Sequence, residues 1–419
     1  MMRIMSILFV SSAVFFGCSN SENIAKTNVS KYNSVTTEIS PQIKIYNKLE
    51  DITTIYFKIN SSKIIYKIKN ELSPPESNLL VNCRVYADKN YLQLVDSMLA
   101  IVKDKLVDKG QSELQFNLSC KLPEGKEYHL KIELSDQYGN RSEFFNFIID
   151  KTNKVNRQYF QAMNAKDSKT ILSDYIQNTD SIILQNENFG GNKIICKYYN
   201  RFFPLPPPPF SVYQPRPFNY AADSTFTLER NENNQFIFLP KSFGFYHFII
   251  DTLQKEGFTL FKFKGNYPEL KNYESLAESV RYLCSSDEYK EISASGNFRT
   301  GIENYWLNNS ATKLKAKENI RIYYNRIEQS NKLFSSHTQG WKTDRGLIYT
   351  IYGSPNIVYK SDFGEQWIYG EETNSLSVRF SFAKVMNPFT DNDYRLSRDE
   401  AYKPSWYRIV ENWRSGRAY

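Results

Sequence analysis

The stretch GWKTDRGLIYTIYG, residues 340–353, contains the densest set of structural signals in the chain. We predict that a helix ends at Gly340, because glycine tolerates the left-handed backbone that terminates many helices. Thr343 and Asp344 have side chains that bond nearby backbone amides, which favours a tight turn. The run LIYTIY, residues 347–352, is rich in β-branched and aromatic residues and predicts a strand. The stretch is therefore interpreted as a helix-to-strand junction.

Helical and β periodicity flank this junction. Upstream, residues 312–334 place apolar side chains at helical spacing with no Gly or Pro, which predicts a long amphipathic helix. The sequence SSDE, residues 285–288, fits a capping box that opens another short helix. Downstream, QWIY (366–369) and SVRFSF (377–382) predict strands. These elements indicate an α+β domain over residues 266–419, with helices on one side of a small antiparallel sheet.

The junction resembles the signature of a known family. Four residues match the positions that name the GWxTD domain family: Gly340, Trp341, Thr343 and Asp344. The preceding helix, Trp367 and the tail 413–416 also lie where that family has equivalents, and the resemblance extends upstream towards GFYHF at residue 244. It implies an envelope protein of Gram-negative bacteria with β-rich regions before the motif. It implies no reaction, substrate or catalytic residue.

The motif residues have structural explanations in this interpretation. If the Trp341 side chain is enclosed, its burial stabilises the folded state by about 3–5 kcal/mol relative to alanine. Gly346 permits close approach at the entrance of the predicted strand. Asp344 is assigned to the turn, and the alternative is a buried ion pair with Arg345 or Arg379.

Residues 42–150 show apolar alternation with a period of two, as in Ile55, Phe57 and Ile59. Short strands separated by turn-rich pieces predict an antiparallel, immunoglobulin-like β-sandwich. One stretch does not fit this pattern: between residues 92 and 106, leucines and valines recur at alternating three- and four-residue steps. This spacing is compatible with a helix or with an amphipathic hairpin.

Four cysteines besides Cys18 occur in the chain, and none has the spacing of a metal site. Cys83 and Cys120 share strand parity with inward-facing neighbours of the first sandwich. A disulfide between them and two buried free thiols are both open alternatives.

Residues 151–265 predict a second β-rich domain. It begins with a polar, helix-compatible connector over residues 157–176, followed by a series of short strands. The Pro-rich loop 202–218 holds seven of the 16 prolines, and residues 204–209 favour polyproline II. We interpret the loop as a rigid cap on a β-edge; the alternative is a ligand for an aromatic groove.

The N-terminus predicts a lipid anchor. Arg3 and a 13-residue apolar segment precede Gly17 and Cys18, an order that resembles a bacterial lipoprotein signal peptide over residues 1–17. Cys18 would become the acylated first residue, and the polar stretch 18–41 would form a tether. The residue after Cys18 is Ser rather than Asp, which favours the outer membrane, facing the periplasm.

Few residues suit catalysis, since the chain has only three histidines. His337 lies near Ser335, Ser336 and Asp344 in sequence, but no nucleophile elbow is present. His247 has the parity of a buried strand residue. The segment 391–393 (DND) lacks the glycine and glutamate of a calcium loop. We therefore predict no catalytic residues, no metal and no cofactor.

The composition is that of a globular, aromatic and β-rich protein, and it names no activity. The chain has 419 residues, 41% hydrophobic and 23% charged, with 15% aromatic residues and a net charge of +8. This excludes a disordered chain and a multi-spanning membrane protein, and the dispersed charge does not indicate nucleic-acid binding. We expect a scaffold or protein-binding lipoprotein of envelope assembly, secretion or motility machinery. Glycan or peptidoglycan binding through aromatic residues of the C-terminal domain is the alternative, and a hydrolase centred on His337 is the third.

Overall fold

The structure is a computed structural model, and it describes residues 25–27, 39–70, 73–106, 113–176, 181–212, 218–233, 235–294, 296–361 and 363–417. Cys18 and the predicted signal peptide lie outside these residues, as does most of the predicted tether. The mainly β N-terminal half and the α+β C-terminal region are confirmed. No helix among the described residues combines the length and apolar character needed to cross a membrane.

A short strand of the predicted tether precedes the first sandwich. This strand, β1 (Ala25–Thr27), pairs antiparallel with residues 358–360 near the other end of the chain. The composition of the tether did not predict it, because three residues are too few to show a period.

Seven antiparallel strands between residues 42 and 150 form two facing sheets. They are β2 (Gln42–Asn47), β3 (Ile52–Asn60), β4 (Leu79–Tyr86), β5 (Leu94–Val102), β6 (Glu113–Lys121), β7 (Glu127–Asp136) and β8 (Arg141–Asp150). One sheet has the order β2-β3-β6 and the other β5-β4-β7-β8. The alternating apolar residues of both sheets meet in one core, which includes the buried side chains of Phe57, Val81 and Leu130.

Strand β5 resolves the ambiguous stretch 92–106. It is neither a helix nor a hairpin but the outermost strand of the four-stranded sheet, paired with β4 along its length. Apolar residues stand on both faces of β5, so their combined spacing imitates a helical period.

Cys83 on β4 and Cys120 on β6 are buried free thiols in the same core. Burial raises the pKa of each thiol to about 12, so both stay protonated near neutral pH. The inward orientation that parity predicted is confirmed.

The second β-rich region also contains two sheets. Its strands are β9 (Gln161–Asn164), β10 (Ile182–Gln185), β11 (Lys193–Tyr199), β12 (Ser224–Glu229), β13 (Phe236–Phe238), β14 (Gly244–Ile249) and β15 (Phe258–Lys262). The sheet orders are β13-β10-β9 and β12-β11-β14-β15. The prediction of a helix-compatible connector over residues 157–176 was wrong: it holds one short 3-10 turn and then β9. Residues 161 and 162 of β9 are buried against β10, which explains the extended backbone.

The C-terminal region packs helices against a five-stranded sheet. The helices are α1 (Tyr273–Ser279), α2 (Ser286–Ala294), α3 (Phe298–Asn308), α4 (Lys313–Phe334), α5 (Asp344–Tyr352) and α6 (Lys403–Arg414). The strands are β16 (Ile357–Ser361), β17 (Gly364–Tyr369), β18 (Val378–Lys384) and β19 (Tyr394–Leu396), in the order β1-β16-β17-β18-β19.

Local capping signals explain where two of these helices begin. The Thr312 side chain accepts a hydrogen bond from the Lys315 amide, so α4 begins where the sequence predicts. Ser285 and Glu288 form the predicted capping box, with the Ser285 amide donating to Glu288 at 2.7 Å and the Glu288 amide donating to Ser285 at 3.2 Å.

Candidate functional site

The stretch 340–353 forms a 3-10 turn followed by helix α5, not the predicted strand. Thr343 is the N-cap of α5: its hydroxyl accepts from the Gly346 amide at 3.0 Å and donates to the Gly340 carbonyl at 2.7 Å. Every residue from Arg345 to Ile351 is buried. A helix that is enclosed on all sides shows no amphipathic period, and for this reason the apolar run predicted a strand.

Gly340 also has a different role from the predicted one. It does not adopt a left-handed backbone. A Cβ atom at Gly340 would lie 2.0 Å from the Ser330 carbonyl oxygen of α4, and one at Gly346 would lie 1.9 Å from the Gly340 carbonyl oxygen. Both glycines are therefore required because backbone segments pass too close for a side chain, and this contact holds α5 and the preceding turn against α4.

Trp341 is fully enclosed, as predicted. Its indole nitrogen donates to Gln339 Oε1 at 2.8 Å, and its ring packs edge-on against Tyr282 at 5.9 Å between centroids. The Trp341 amide donates to the Asn331 side chain of α4, and the Tyr282 hydroxyl donates to the Trp341 carbonyl. The tryptophan therefore joins the motif to α4 and to the turn after α1.

Asp344 forms an ion pair with Arg398, not with Arg345 or Arg379 as the alternative interpretation proposed. Both carboxylate oxygens accept hydrogen bonds from the Arg398 guanidinium: Oδ2 from Nη1 at 3.1 Å, and Oδ1 from Nη2. The Leu396 amide also donates to Oδ2, at 2.8 Å. About a tenth of each side chain is exposed. The pair therefore ties the first turn of α5 to the end of β19 and fixes the plane of the Arg398 guanidinium.

Arg345 belongs to a second, deeper network centred on Glu365 of β17. Glu365 accepts from Arg345 at 3.2 Å, from Lys360 at 3.0 Å and from the Trp367 indole at 2.9 Å. The Glu365 side chain is 1% exposed and that of Arg345 4%. The guanidinium also stacks 3.8 Å from the Tyr394 ring centroid and donates to the Asn392 carbonyl. Each buried charge thus has several partners, as burial requires.

The segment 203–210 of the Pro-rich loop lies against this region. The Arg398 guanidinium, held by Asp344, donates to the Pro207 carbonyl at 3.2 Å, and the Asp399 amide donates to the Pro209 carbonyl at 3.1 Å. Phe210 packs against the Tyr407 ring of α6, 5.5 Å between centroids. The segment 203–210 therefore docks on the C-terminal region, a contact that the predicted cap on a β-edge did not include.

Comparison with known proteins places the motif in a larger unit. Residues 244–415 match the family profile of the GWxTD domain. The chain contains a GWxTD domain. A comparison with curated proteins gave no match. The profile begins at Gly244 on β14, so the matched unit includes β14 and β15 of the second β-rich region as well as every helix named above. The upstream extension that the sequence indicated is thereby confirmed.

The GWxTD domain does not assemble a triad around His337. Ser335 is bonded to Tyr267 and to the Asn331 carbonyl, and Asp344 is bound to Arg398. His337 lies 3.8 Å from Asp393 and contacts the Phe203 ring. Burial lowers the pKa of His337, against an opposing effect of Asp393. Among the described residues, no hydrogen bond joins His337 to a serine.

His247 is a satisfied structural histidine, as its parity indicated. Nε2 donates to the Lys255 carbonyl at 2.8 Å, and Nδ1 accepts from the Thr259 hydroxyl at 2.9 Å, which identifies the neutral tautomer. Burial lowers the pKa of His247 to about 4. The segment 391–393 is equally structural, since Asp391 pairs with Arg157. Within the described residues no group of His, Cys, Asp or Glu side chains could hold a metal ion.

The aromatic tail of the GWxTD domain completes the core. Trp406 and Trp413 on α6 are buried, and the Trp413 indole donates to the Ile351 carbonyl at 3.0 Å. Arg414 binds Glu288 with two hydrogen bonds and lowers the pKa of Glu288 to about 2. Since all five tryptophans of the chain are buried, no tryptophan offers a glycan-stacking surface.

An open groove lies in the second β-rich region instead. It has a volume of about 450 Å³, and four of its lining side chains are aromatic: Tyr198, Phe226, Phe238 and Tyr246. Both tyrosine hydroxyls donate to backbone carbonyls of residues 242 and 243. The groove therefore presents aromatic side chains together with the polar side chains of Ser224, Lys241 and Ser242.

Sequence reasoning missed Arg398 and Glu365, the two partners that complete the motif. Each lies more than 15 residues from its partner along the chain, and neither stands in a periodic pattern that singles it out. The available signal was the pair of adjacent charges at Asp344 and Arg345 beside a buried tryptophan, because charges next to enclosed residues require partners.

Proposed function

We propose that this protein is a non-enzymatic lipoprotein of the outer membrane that binds other proteins of the cell envelope, as a scaffold or adaptor in assembly, secretion or motility machinery. The observation that carries the proposal is the exposed apolar face of β5 at the edge of the first sandwich. The charged motif residues Asp344 and Arg345 are held in internal ion pairs with Arg398 and Glu365, so they stabilise the domain and leave β5 as the surface for a partner.

Strand β5 combines three properties of a protein-binding edge. It is the outermost strand of its sheet, it is nine residues long, and four of its five exposed side chains are apolar, Ser97 being the exception. Leu99 is 70% exposed and Ile101 65% exposed. Ile101 stands opposite Leu80 of β4, so the apolar patch continues inward there, whereas Leu99 stands opposite the polar Asn82.

A long, apolar edge strand is normally protected by charges, bulges or a covering element. The only charged residue within β5, Asp96, and the one irregularity in its pairing with β4, opposite Val85 and Tyr86, both lie in the first half of the strand. The half from Met98 to Val102 has no charge. We infer that the partner adds an extended strand along this half and covers Leu99 and Ile101 with apolar side chains.

The double substitution Leu99→Lys with Ile101→Lys should remove the partner and leave the fold intact, because both side chains point into solvent. Recovery of a stoichiometric companion from gently solubilised membranes should fall about tenfold or more. The matched control is Leu314→Lys on α4, where the leucine is 76% exposed in another domain. A photo-crosslinking residue at position 99 should capture the same companion, and one at position 314 should not. A monodisperse wild-type monomer with no companion would contradict the proposal.

The lipid anchor is the part of the proposal that rests on sequence. Cys18 follows a short apolar segment with a basic N-terminus, and lipid on a terminal cysteine attaches a protein durably when several acyl chains are present. Labelled palmitate should enter the wild-type protein and should be absent from Cys18→Ser. Equal labelling of Cys83→Ser and the wild type is the expected control, because Cys83 is buried. Label retained in Cys18→Ser would refute the anchor.

Glycan or peptidoglycan binding is the alternative. The aromatic groove of the second β-rich region favours it, because ring faces stack on sugar rings. Glycan binding through the tryptophans of the GWxTD domain is not favoured, because these tryptophans are buried.

A further inference from the structure

The docked Pro-rich segment has the features of a bound peptide ligand. The stretch from Phe203 to Phe210 carries five of the chain's 16 prolines and is bounded by two exposed residues, Phe202 at 83% and Val212 at 90%. Between these ends the chain turns towards the GWxTD domain, and Pro209 is buried. Leu205 and Phe210 pack against the core of that domain.

The acceptor uses the chemistry that suits a polyproline II helix. Such a helix makes no internal hydrogen bonds, so its carbonyls are free to accept from a receptor. After Pro208 the segment ends in a turn, closed by the Ser211 amide donating to the Pro208 carbonyl at 3.0 Å, and this turn carries Pro209 and Phe210. Arg398 and the Asp399 amide supply the two donors, to Pro207 and to Pro209 respectively. Tyr407, which is 55% exposed, supplies the aromatic surface for Phe210.

The acceptor and its occupant belong to different parts of the chain. Asp344, Arg398, Asp399 and Tyr407 all lie within residues 244–415, which match the family profile, whereas the segment 203–210 precedes that unit. The motif residue Asp344 acts through Arg398, because it holds the guanidinium that reaches the peptide carbonyl. The binding face is therefore complete within the GWxTD domain, and the occupant is supplied from outside it.

We propose that this face of the GWxTD domain, formed by Arg398, Asp399 and Tyr407, is a binding site for peptides in which a run of prolines ends in a turn that carries an aromatic residue, and that the chain's own segment 203–210 occupies it in cis. The ligand class is a short run of prolines followed by an aromatic residue, carried by a partner protein. A tethered ligand has an effective concentration in the millimolar range for short linkers, so a partner peptide competes only weakly until the cis segment is released. This site is separate from β5, and its test is independent of the proposed function.

The test uses the full-length mature chain with residues 204–210 replaced by a Gly/Ser sequence of equal length. A labelled synthetic peptide of residues 201–212 should bind this emptied variant about tenfold or more tightly than it binds the wild-type chain, because the cis competitor is gone. In the emptied variant, Tyr407→Ala and Arg398→Ala should each weaken binding about tenfold, the latter because a hydrogen bond from a charged donor is lost. Because Tyr407→Ala leaves the Asp344–Arg398 ion pair intact, a loss of binding in this variant reports on peptide recognition and not on misfolding of the domain.

The matched control is Arg395→Ala, which removes an equal charge from an exposed position on β19 and should leave peptide binding unchanged. A peptide with alanine in place of the prolines should not bind. If the emptied variant fails to fold, the titration is done on Phe210→Ser, which keeps the prolines and weakens only the aromatic contact. The proposal is overturned if neither variant binds the peptide more tightly than the wild type, or if Arg395→Ala weakens binding as much as Tyr407→Ala.

Discussion

Trp341→Ala should lower the free energy of unfolding of the GWxTD domain by about 3–5 kcal/mol, the usual cost of truncating a fully buried large aromatic side chain. The indole is completely enclosed and packs against Tyr282. Its removal leaves a cavity at the contact between the motif turn and α4, and this contact cannot close because the glycine backbones are already packed against each other.

Tryptophan fluorescence measures this effect selectively. All five tryptophans lie between residues 306 and 413, so fluorescence during denaturant unfolding reports on the C-terminal domain, while circular dichroism also follows the sandwiches. The matched control is Phe363→Ala, since Phe363 is an aromatic residue of the same domain that is 76% exposed, and a surface substitution of this kind changes stability within about 0.5 kcal/mol. Equal stability of Trp341→Ala and Phe363→Ala would contradict the enclosed position of Trp341.

Glu365→Ala should destabilise the same domain by about 3–5 kcal/mol, because it leaves a buried guanidinium without its carboxylate. Arg345 would keep its contacts with Asn392 and Tyr394 but lose its anion, and the Trp367 indole would lose its acceptor. The motif arginine is therefore expected to depend more on Glu365 than on any residue near it in sequence.

A double-mutant cycle separates this pair from general packing. Arg345→Met combined with Glu365→Leu should cost less than the sum of the two single substitutions, since removing both charges leaves no unpaired buried ion. The exposed pair Lys193 and Glu229, each 66% exposed, provides the control: Glu229→Ala should leave stability essentially unchanged, because solvent screens an exposed ion pair. Additive losses at Arg345 and Glu365 would show that the two side chains act separately.

These expectations give the GWxTD motif a structural meaning. Gly340 and Gly346 allow two backbones to touch, Trp341 fills the adjoining space, and Thr343 caps α5. Asp344 has a further role because it orients Arg398 towards the docked Pro-rich segment. Substitutions at Gly340, Trp341, Thr343 or Gly346 should therefore reduce the amount of folded protein, whereas Asp344 also connects the core of the domain to a candidate peptide-binding face.

Local signals in the sequence determined much of the fold. Alternating apolar patterns located most strands of the two β-rich regions, though not β5 or β9, because one face of most strands packs into a core. The position of Thr312 and the reciprocal bonds of Ser285 and Glu288 determined where α4 and α2 begin, since caps act within one helical turn. The enclosure of Trp341 followed from its size and its apolar neighbours.

Only the tertiary structure decided the conformation of residues 347–352 and the partners of the buried charges. The run LIYTIY is apolar throughout, and its backbone became helical because α5 is surrounded by other elements, a condition that no local pattern expresses. Arg398 meets Asp344 across 54 residues and Pro207 across 191 residues. Ion pairs and docked segments over such separations depend on which surfaces the chain brings together on folding. Local sequence therefore determined most of the elements, and the packing of distant surfaces determined α5 and the site.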